Sequence, residues 1–186
     1  MVQGWGFHEV YDLVFPAYQQ ALFRRASFVD MAHVWRIVYH AYSEYIPILG
    51  RTPPTFQEDF DSHVARGNLW MLEQPDGIYA MIVLTPADDH LLIQALCVDP
   101  EHQGQGLGRA MLAFAEREAR ARGLAELRLY TNSKMARNMR IYRQWGFKEH
   151  RREAYAWGKR VHMRKLLVDA KILRLRRRRA EIPVAA

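Results

Sequence analysis

Apolar residues run almost unbroken through positions 91–98, LLIQALCV. Read as a strand, Leu92, Gln94, Leu96 and Val98 alternate to one face and Leu91, Ile93, Ala95 and Cys97 to the other; two apolar faces predict a strand buried in the middle of a sheet. Gln94 is the exception and needs a partner, either a structural hydrogen bond or a contact with substrate or bound water. Around this strand the pattern switches between periods of two and 3.6. Residues 21–26 read as a short strand. Ser27 or Asp30 caps a helix to about Tyr42, with Val34, Ile37, Val38 and Ala41 as its apolar stripe. A second helix is expected over 56–65. Strands at 68–73 and 77–84 join through the turn Gln74-Pro75-Asp76-Gly77. A helix from Leu107 buries Leu107, Ala110, Met111 and Phe114 and ends at Gly123. A strand at 127–131, a helix from about Lys134 and two strands at 147–155 and 160–167 follow. Asn138 and Tyr142, four residues apart, share one helical face.

After Val98 the pattern breaks at Asp99-Pro100, and three glycines in five residues, Gly104, Gly106 and Gly108, lead into the helix. Glycines let several N–H groups point into one small space, and the helix N-terminus behind them adds roughly half a positive charge, so the stretch suits a phosphate. Spacing separates the phosphate-loop patterns. A P-loop requires Lys-Ser/Thr where Arg109-Ala110 stand. A dinucleotide fingerprint requires a third glycine at Arg109 and an acidic residue near Thr131-Asn132. The pattern [RQ]-x-x-G-x-[GA] after a strand ending Val-x-Pro is met in full by Gln103, Gly106 and Gly108.

A second block, LRLYTNSKMARNMRIYRQWGF, places Tyr142 four residues before Gly146-Phe147. With both blocks in this order, residues 21–167 resemble the GNAT superfamily of acyl-CoA-dependent N-acetyltransferases, specifically over 91–147. The resemblance implies an α/β GNAT fold in a single domain. Its central sheet is mixed and mostly antiparallel, with about six to seven strands flanked by about four helices. It further implies that the backbone of Leu96, Cys97 and Val98 pairs with the pantetheine of acetyl-CoA. Gln103, Gly104, Gln105, Gly106, Leu107, Gly108 and Arg109 surround the pyrophosphate, and Asn138 reaches the pantetheine from the opposite helix. Val98 N–H stabilises the oxyanion and Tyr142 protonates the departing sulfur. Tyr42 and Tyr45, with the turns through Thr52-Pro53-Pro54, fall where these enzymes wall the acceptor pocket; an ordinary Pro-rich loop reads the same way. Gln94 and His90 are further acceptor-side candidates. For the base, His90, Glu44 and a water chain from Gln94 stand side by side, because the central strand carries no carboxylate. The resulting expectation is acetyl transfer to a primary amine of a small molecule or protein. The same fold could instead bind acyl-CoA without turnover, as a sensor or partner-binding module.

Composition adds limits. The single Cys97 excludes a disulfide framework and any Cys-based zinc site, and reads as core. His33 and His40 lie on one helical face with no third ligand, so no metal is expected. Glu58, Asp59 and Asp61 read as an acidic helix start, explained by the macrodipole or by attraction of a cationic substrate. No stretch is apolar enough to span a membrane and no basic leader precedes the first apolar residues, so the cytoplasm is the expected location. The net charge is +7, of which +4 sits in 169–186. That basic tail (168–186) reads as solvated, with nonspecific affinity for polyanions and no specific nucleic-acid partner. Residues 1–20 read as an aromatic extension, packed on the domain or on a second copy of a homodimer, or lying over the acceptor site as a lid.

Overall fold

The computed structural model describes residues 22–155 and 158–167. The N-terminal extension (1–20), the basic tail (168–186) and part of the turn expected at 156–159 lie outside them. Seven strands form one sheet: β1 Leu22–Arg25, β2 Leu69–Gln74, β3 Gly77–Pro86, β4 Leu91–Val98, β5 Glu126–Asn132, β6 Lys148–Tyr155 and β7 Gly158–Leu166, in the order β1-β2-β3-β4-β5-β7-β6. Only β4 and β5 pair in parallel; every other neighbouring pair is antiparallel. Among the described residues five α-helices flank the sheet: α1 Met31–Ser43, α2 Tyr45–Leu49, α3 Phe60–Ala65, α4 Leu107–Ala121 and α5 Ala136–Gln144. The architecture is the mixed, mostly antiparallel α/β sheet expected.

Two apolar layers hold it together. On one face Leu107, Met111 and Phe114 of α4 pack on Leu72, Ala80, Ile82, Leu91, Ile93 and Leu129, with Phe23 stacked on Phe114 at 4.6 Å. On the other, Val34, Ile37 and Val38 of α1 and Phe60 of α3 cover Leu69, Met71, Met81, Val83, Ala95 and Cys97. Burying a side chain the size of Phe114 contributes about 1.5–3 kcal/mol.

The simple alternation expected for β4 does not hold along its length. Leu91 and Ile93 face the α4 layer, as Leu96 and Val98 do, whereas Ala95 and Cys97 face the α1 layer. The register explains this: Leu84 pairs with Ile93 and Val83 with Ala95, so Gln94 is an extra residue, a β-bulge. With a period of two, one inserted residue moves everything after it to the opposite face. The parallel pairing with β5 runs Leu91↔Leu127, Leu92↔Arg128, Ile93↔Leu129 and stops at the bulge. Beyond it the two strands diverge.

The helix expected over 56–65 is also corrected. Pro54–Gln57 forms a 3-10 turn, Glu58 is extended (φ −70°, ψ 137°), and α3 starts only at Phe60. The Asp59 side chain fixes that start by accepting from Ser62 N at 3.0 Å, the usual role of an N-cap aspartate. Tyr45–Leu49 is helical despite Pro47, which stands in the first turn, where its missing N–H would have no intrahelical acceptor.

Candidate functional site

The divergence of β4 from β5 opens a cleft of about 390 Å³ between β4, the loop into α4, and α5. Leu96 and Val98 form its floor. Gln103, Gly104, Gly106, Leu107, Gly108 and Arg109 form one rim, and Arg137, Asn138, Ile141, Tyr142 and Trp145 the wall opposite, closed by Tyr42, Glu44 and Tyr45. Gly104 (φ 78°) and Gly106 (φ 93°) take left-handed conformations that other residues rarely adopt, which curls the chain directly onto the N-terminus of α4. The first-turn amides of that helix have no intrahelical acceptor and face the cleft. A Cβ on Gly108 would meet the Trp145 ring at 3.3 Å, narrowing the passage from that side. The cleft therefore offers a rim suited to phosphate and an apolar floor suited to an extended chain.

The side chains are held. Asn138 Oδ1 accepts from the Tyr45 hydroxyl at 2.9 Å. Gln103 bridges the cleft, its Nε2 donating to Val98 O at 3.2 Å and its Oε1 accepting from Arg137 Nη2 at 2.9 Å. Burial pushes the Tyr142 phenol well above the ordinary tyrosine value, with nearby Cys97 and Tyr45 adding to the effect. The same desolvation raises Tyr45 and Cys97 each to about 12, and raises Tyr42 as well.

A second cavity of about 240 Å³ adjoins the first and shares Tyr42, Asn138 and Tyr142 with it. Leu49, Pro53, Pro54, Thr55, Glu58 and Gln94 line one side; Tyr130, Thr131, Asn132, Met135, Tyr155 and Arg160 the other. Gln94 Nε2 donates to Glu58 Oε1 at 2.9 Å, which is the partner that the half-buried polar bulge residue requires. Asn132 Nδ2 donates to the Tyr155 hydroxyl at 2.7 Å.

Leu96, Val98, Gln103, Gly104, Gly106, Leu107, Gly108, Arg109, Asn138, Tyr142, Tyr42 and Tyr45 thus converge on the first cleft, and Gln94 on the second. Three predicted residues do not line either. The Cys97 side chain turns into the α1 layer, leaving only its backbone beside the cleft. Gln105 lies on the exposed outside of the loop. His90 is a correction: it stands at the opposite end of β4 from Val98, where it pairs with Asp89 at 2.5 Å, and a strand of this length holds it about 25 Å away. Glu44 rims the first cleft, 3.7 Å from Arg137. Tyr130, Tyr155 and Arg160 escape sequence reasoning because they come from three separate strands, whereas Glu58, read as one of three acids at a helix start with attraction of a cationic substrate as one explanation, is brought to the second cavity. Ile141 and Trp145 were recoverable, since they flank Tyr142 on the helical face that Asn138 marks. Among the described residues no three potential ligand side chains gather as a metal site, and no helix is long and apolar enough to cross a membrane.

Residues 65–149 match the Acetyltransferase (GNAT) domain family. Among curated proteins, human N-acetyltransferase 8B is 25% identical over 122 residues, covering 62% of this chain and 54% of the relative. The [ribosomal protein bS18]-alanine N-acetyltransferase of Escherichia coli K12 is 32% identical over 80 residues, covering 43% of this chain and 54% of the relative. The chain thus spans about half the length of these curated relatives. Among solved structures, PaiA N-acetyltransferase from Thermoplasma acidophilum, crystallised with coenzyme A, superimposes with a TM-score of 0.67 at 16% identity, covering 78% of this chain and 98% of that one. At that identity the likeness speaks for the fold.

Proposed function

Because this chain belongs to the GNAT acetyltransferase superfamily, we propose that it is an N-acetyltransferase that moves an acetyl group from acetyl-CoA to a primary amine, with Tyr142 as proton donor. The observation that carries this reading is the cleft at the β4–β5 divergence, where the glycine loop, the apolar floor and Tyr142 meet. Its lining fits an acyl-CoA. The amides of residues 104–109 suit the pyrophosphate, with Arg109 and Arg137 beside them, and the β4 edge beyond Ile93, no longer paired to β5, can hydrogen-bond an extended amide-containing arm. When bound, acetyl-CoA supplies an activated thioester carbonyl.

Val98 N–H, at the end of that edge, donates to the carbonyl oxygen as negative charge builds on it, a class of contact worth about 3–4 kcal/mol. Tyr142 Oη gives its proton to the departing sulfur. Its raised pKa keeps the phenol protonated at neutral pH, so the donor is always charged with its proton. The second cavity, sharing Tyr42, Asn138 and Tyr142 with the first, is where the amine approaches.

Tyr142→Phe tests the reading. With acetyl-CoA and a panel of primary amines, thiol release should fall about 10²–10⁴-fold while acetyl-CoA binding, followed by calorimetry, stays within threefold. An unchanged rate would remove Tyr142 as donor. Retained binding with no turnover by the wild type on any amine would favour a non-catalytic acyl-CoA-binding module.

A further inference from the structure

We propose that Glu58 is the group that binds the acceptor's ammonium and takes its proton, held for that task by Gln94 and His63. The assignment deepens the acetyltransferase reading and rests on it.

Helix-dipole stabilisation does not explain Glu58, because its backbone is extended and Asp59, not Glu58, caps α3. Two elements converge on its carboxylate instead. Gln94 Nε2, on the β4 bulge, and His63 Nε2, on α3, both meet Oε1 at 2.9 Å. His63 is 6% exposed and its Nδ1 is buried without a partner, so the ring nitrogen that meets Glu58 is Nε2, which donates to the carboxylate. Together the two donors fix Oε1, and Oε2 keeps no hydrogen-bond partner among the described residues.

The surroundings suit a cation. Tyr130 of β5, Tyr155 of β6 and Tyr42 and Tyr142 from the helices present aromatic rings to the same cavity. The one guanidinium there, Arg160 of β7, is drawn aside to Glu153 at 3.4 Å, a carboxylate it shares with Arg151 and His162, and lies over the Tyr130 and Tyr155 rings at 4.9 and 5.5 Å. Glu58 is the one carboxylate among the residues that line this cavity. Its side chain, 25% exposed, also keeps a path to solvent.

The reaction balances. An ammonium N–H bond breaks and its proton passes to Glu58 Oε2, freeing the lone pair that forms the C–N bond. The C–S bond breaks, sulfur takes the Tyr142 phenolic proton, and the new amide nitrogen returns one proton to Tyr142 Oη. Glu58 releases its proton to solvent, one per acetyl transferred.

Glu58→Gln tests this, since a glutamine amide oxygen can still accept from Gln94 and His63. Three readouts apply: acetyl-CoA binding, amine binding in the presence of CoA, and kcat/KM against pH, with n-butylamine, spermidine and a peptide bearing a free α-amino group as probes. The variant should bind acetyl-CoA as the wild type does and lose at least tenfold in amine affinity. At pH 7 its kcat/KM should fall about 10²–10⁴-fold. With n-butylamine its rate should then climb about tenfold per pH unit from pH 6 to 9, following the free amine of pKa about 10.4, and with the α-amino peptide it should level off at about pH 8, where the wild type is nearly flat. Equal pH profiles, or amine binding that survives the substitution, would overturn the assignment. So would the failure of every amine to bind the wild type. If acetyl-CoA itself did not bind, the acetyltransferase reading would fall first and this one with it.

Discussion

Gly108 shows how much one missing side chain decides. Its helical backbone would accept any residue, so a substitution there acts on the cleft and not through backbone strain. Saturating acetyl-CoA at 100 times its dissociation constant adds about 2.7 kcal/mol to the stability of the folded state, about 5–10 °C in melting temperature for a domain of this size. Gly108→Glu places a carboxylate among the amides that would receive the pyrophosphate and crowds Trp145. We expect the variant to fold and to show no ligand-induced shift; a shift equal to that of the wild type would place the ligand elsewhere. The glycines, Gln103, Asn138 and Tyr142 were legible as residue types because backbone curvature and helical spacing are local properties. Glu58 was legible only as one of three acids at an expected helix start; what singles it out, the contacts with His63 and Gln94, lies 5 and 36 positions along the chain.

At the scale of the element, the bulge in β4 is what opens the site. Deleting Gln94 would restore strict alternation and still leave Leu91, Ile93, Leu96 and Val98 on the α4 face and Ala95 and Cys97 on the other. The deletion variant should therefore keep its secondary structure by circular dichroism. With the pairing to β5 free to continue past Ile93, the cleft should narrow and acetyl-CoA affinity fall by more than tenfold. Undiminished affinity would mean that the divergence is set by α5 and the loops. The sequence predicted β4 itself to the residue, yet it expected Gln94 on an unbroken face. A bulge is an agreement between two strands, and β3 lies outside any local window.

For the whole molecule, the first strand is tied to the start of α1 by Arg24, whose guanidinium donates to both oxygens of Asp30 at 2.8 and 2.9 Å and also pairs with Glu73 of β2. Arg24 beside it holds the Asp30 carboxyl well below the usual carboxylate range, and Ser27 N–H adds to this. The unfolded chain then binds the more protons, so the contribution is present above about pH 4 and is lost as pH falls toward the depressed value. Asp30→Asn should lower unfolding free energy at pH 7 by about 2–3 kcal/mol, and the gap to the wild type should shrink in urea titrations below pH 4. A gap independent of pH would deny the pair this role. The sequence by itself determined the strand and helix order, the glycine loop, the Asn138–Tyr142 face and the resemblance they carry, because each depends on periodicity or on spacing within one element. Tertiary structure alone decided where β4 leaves β5, which residues form the second cavity, that His90 is remote from it and that Glu58 reaches it. Those facts are set by register and by contacts between elements, which are long-range, and no short stretch of chain contains them.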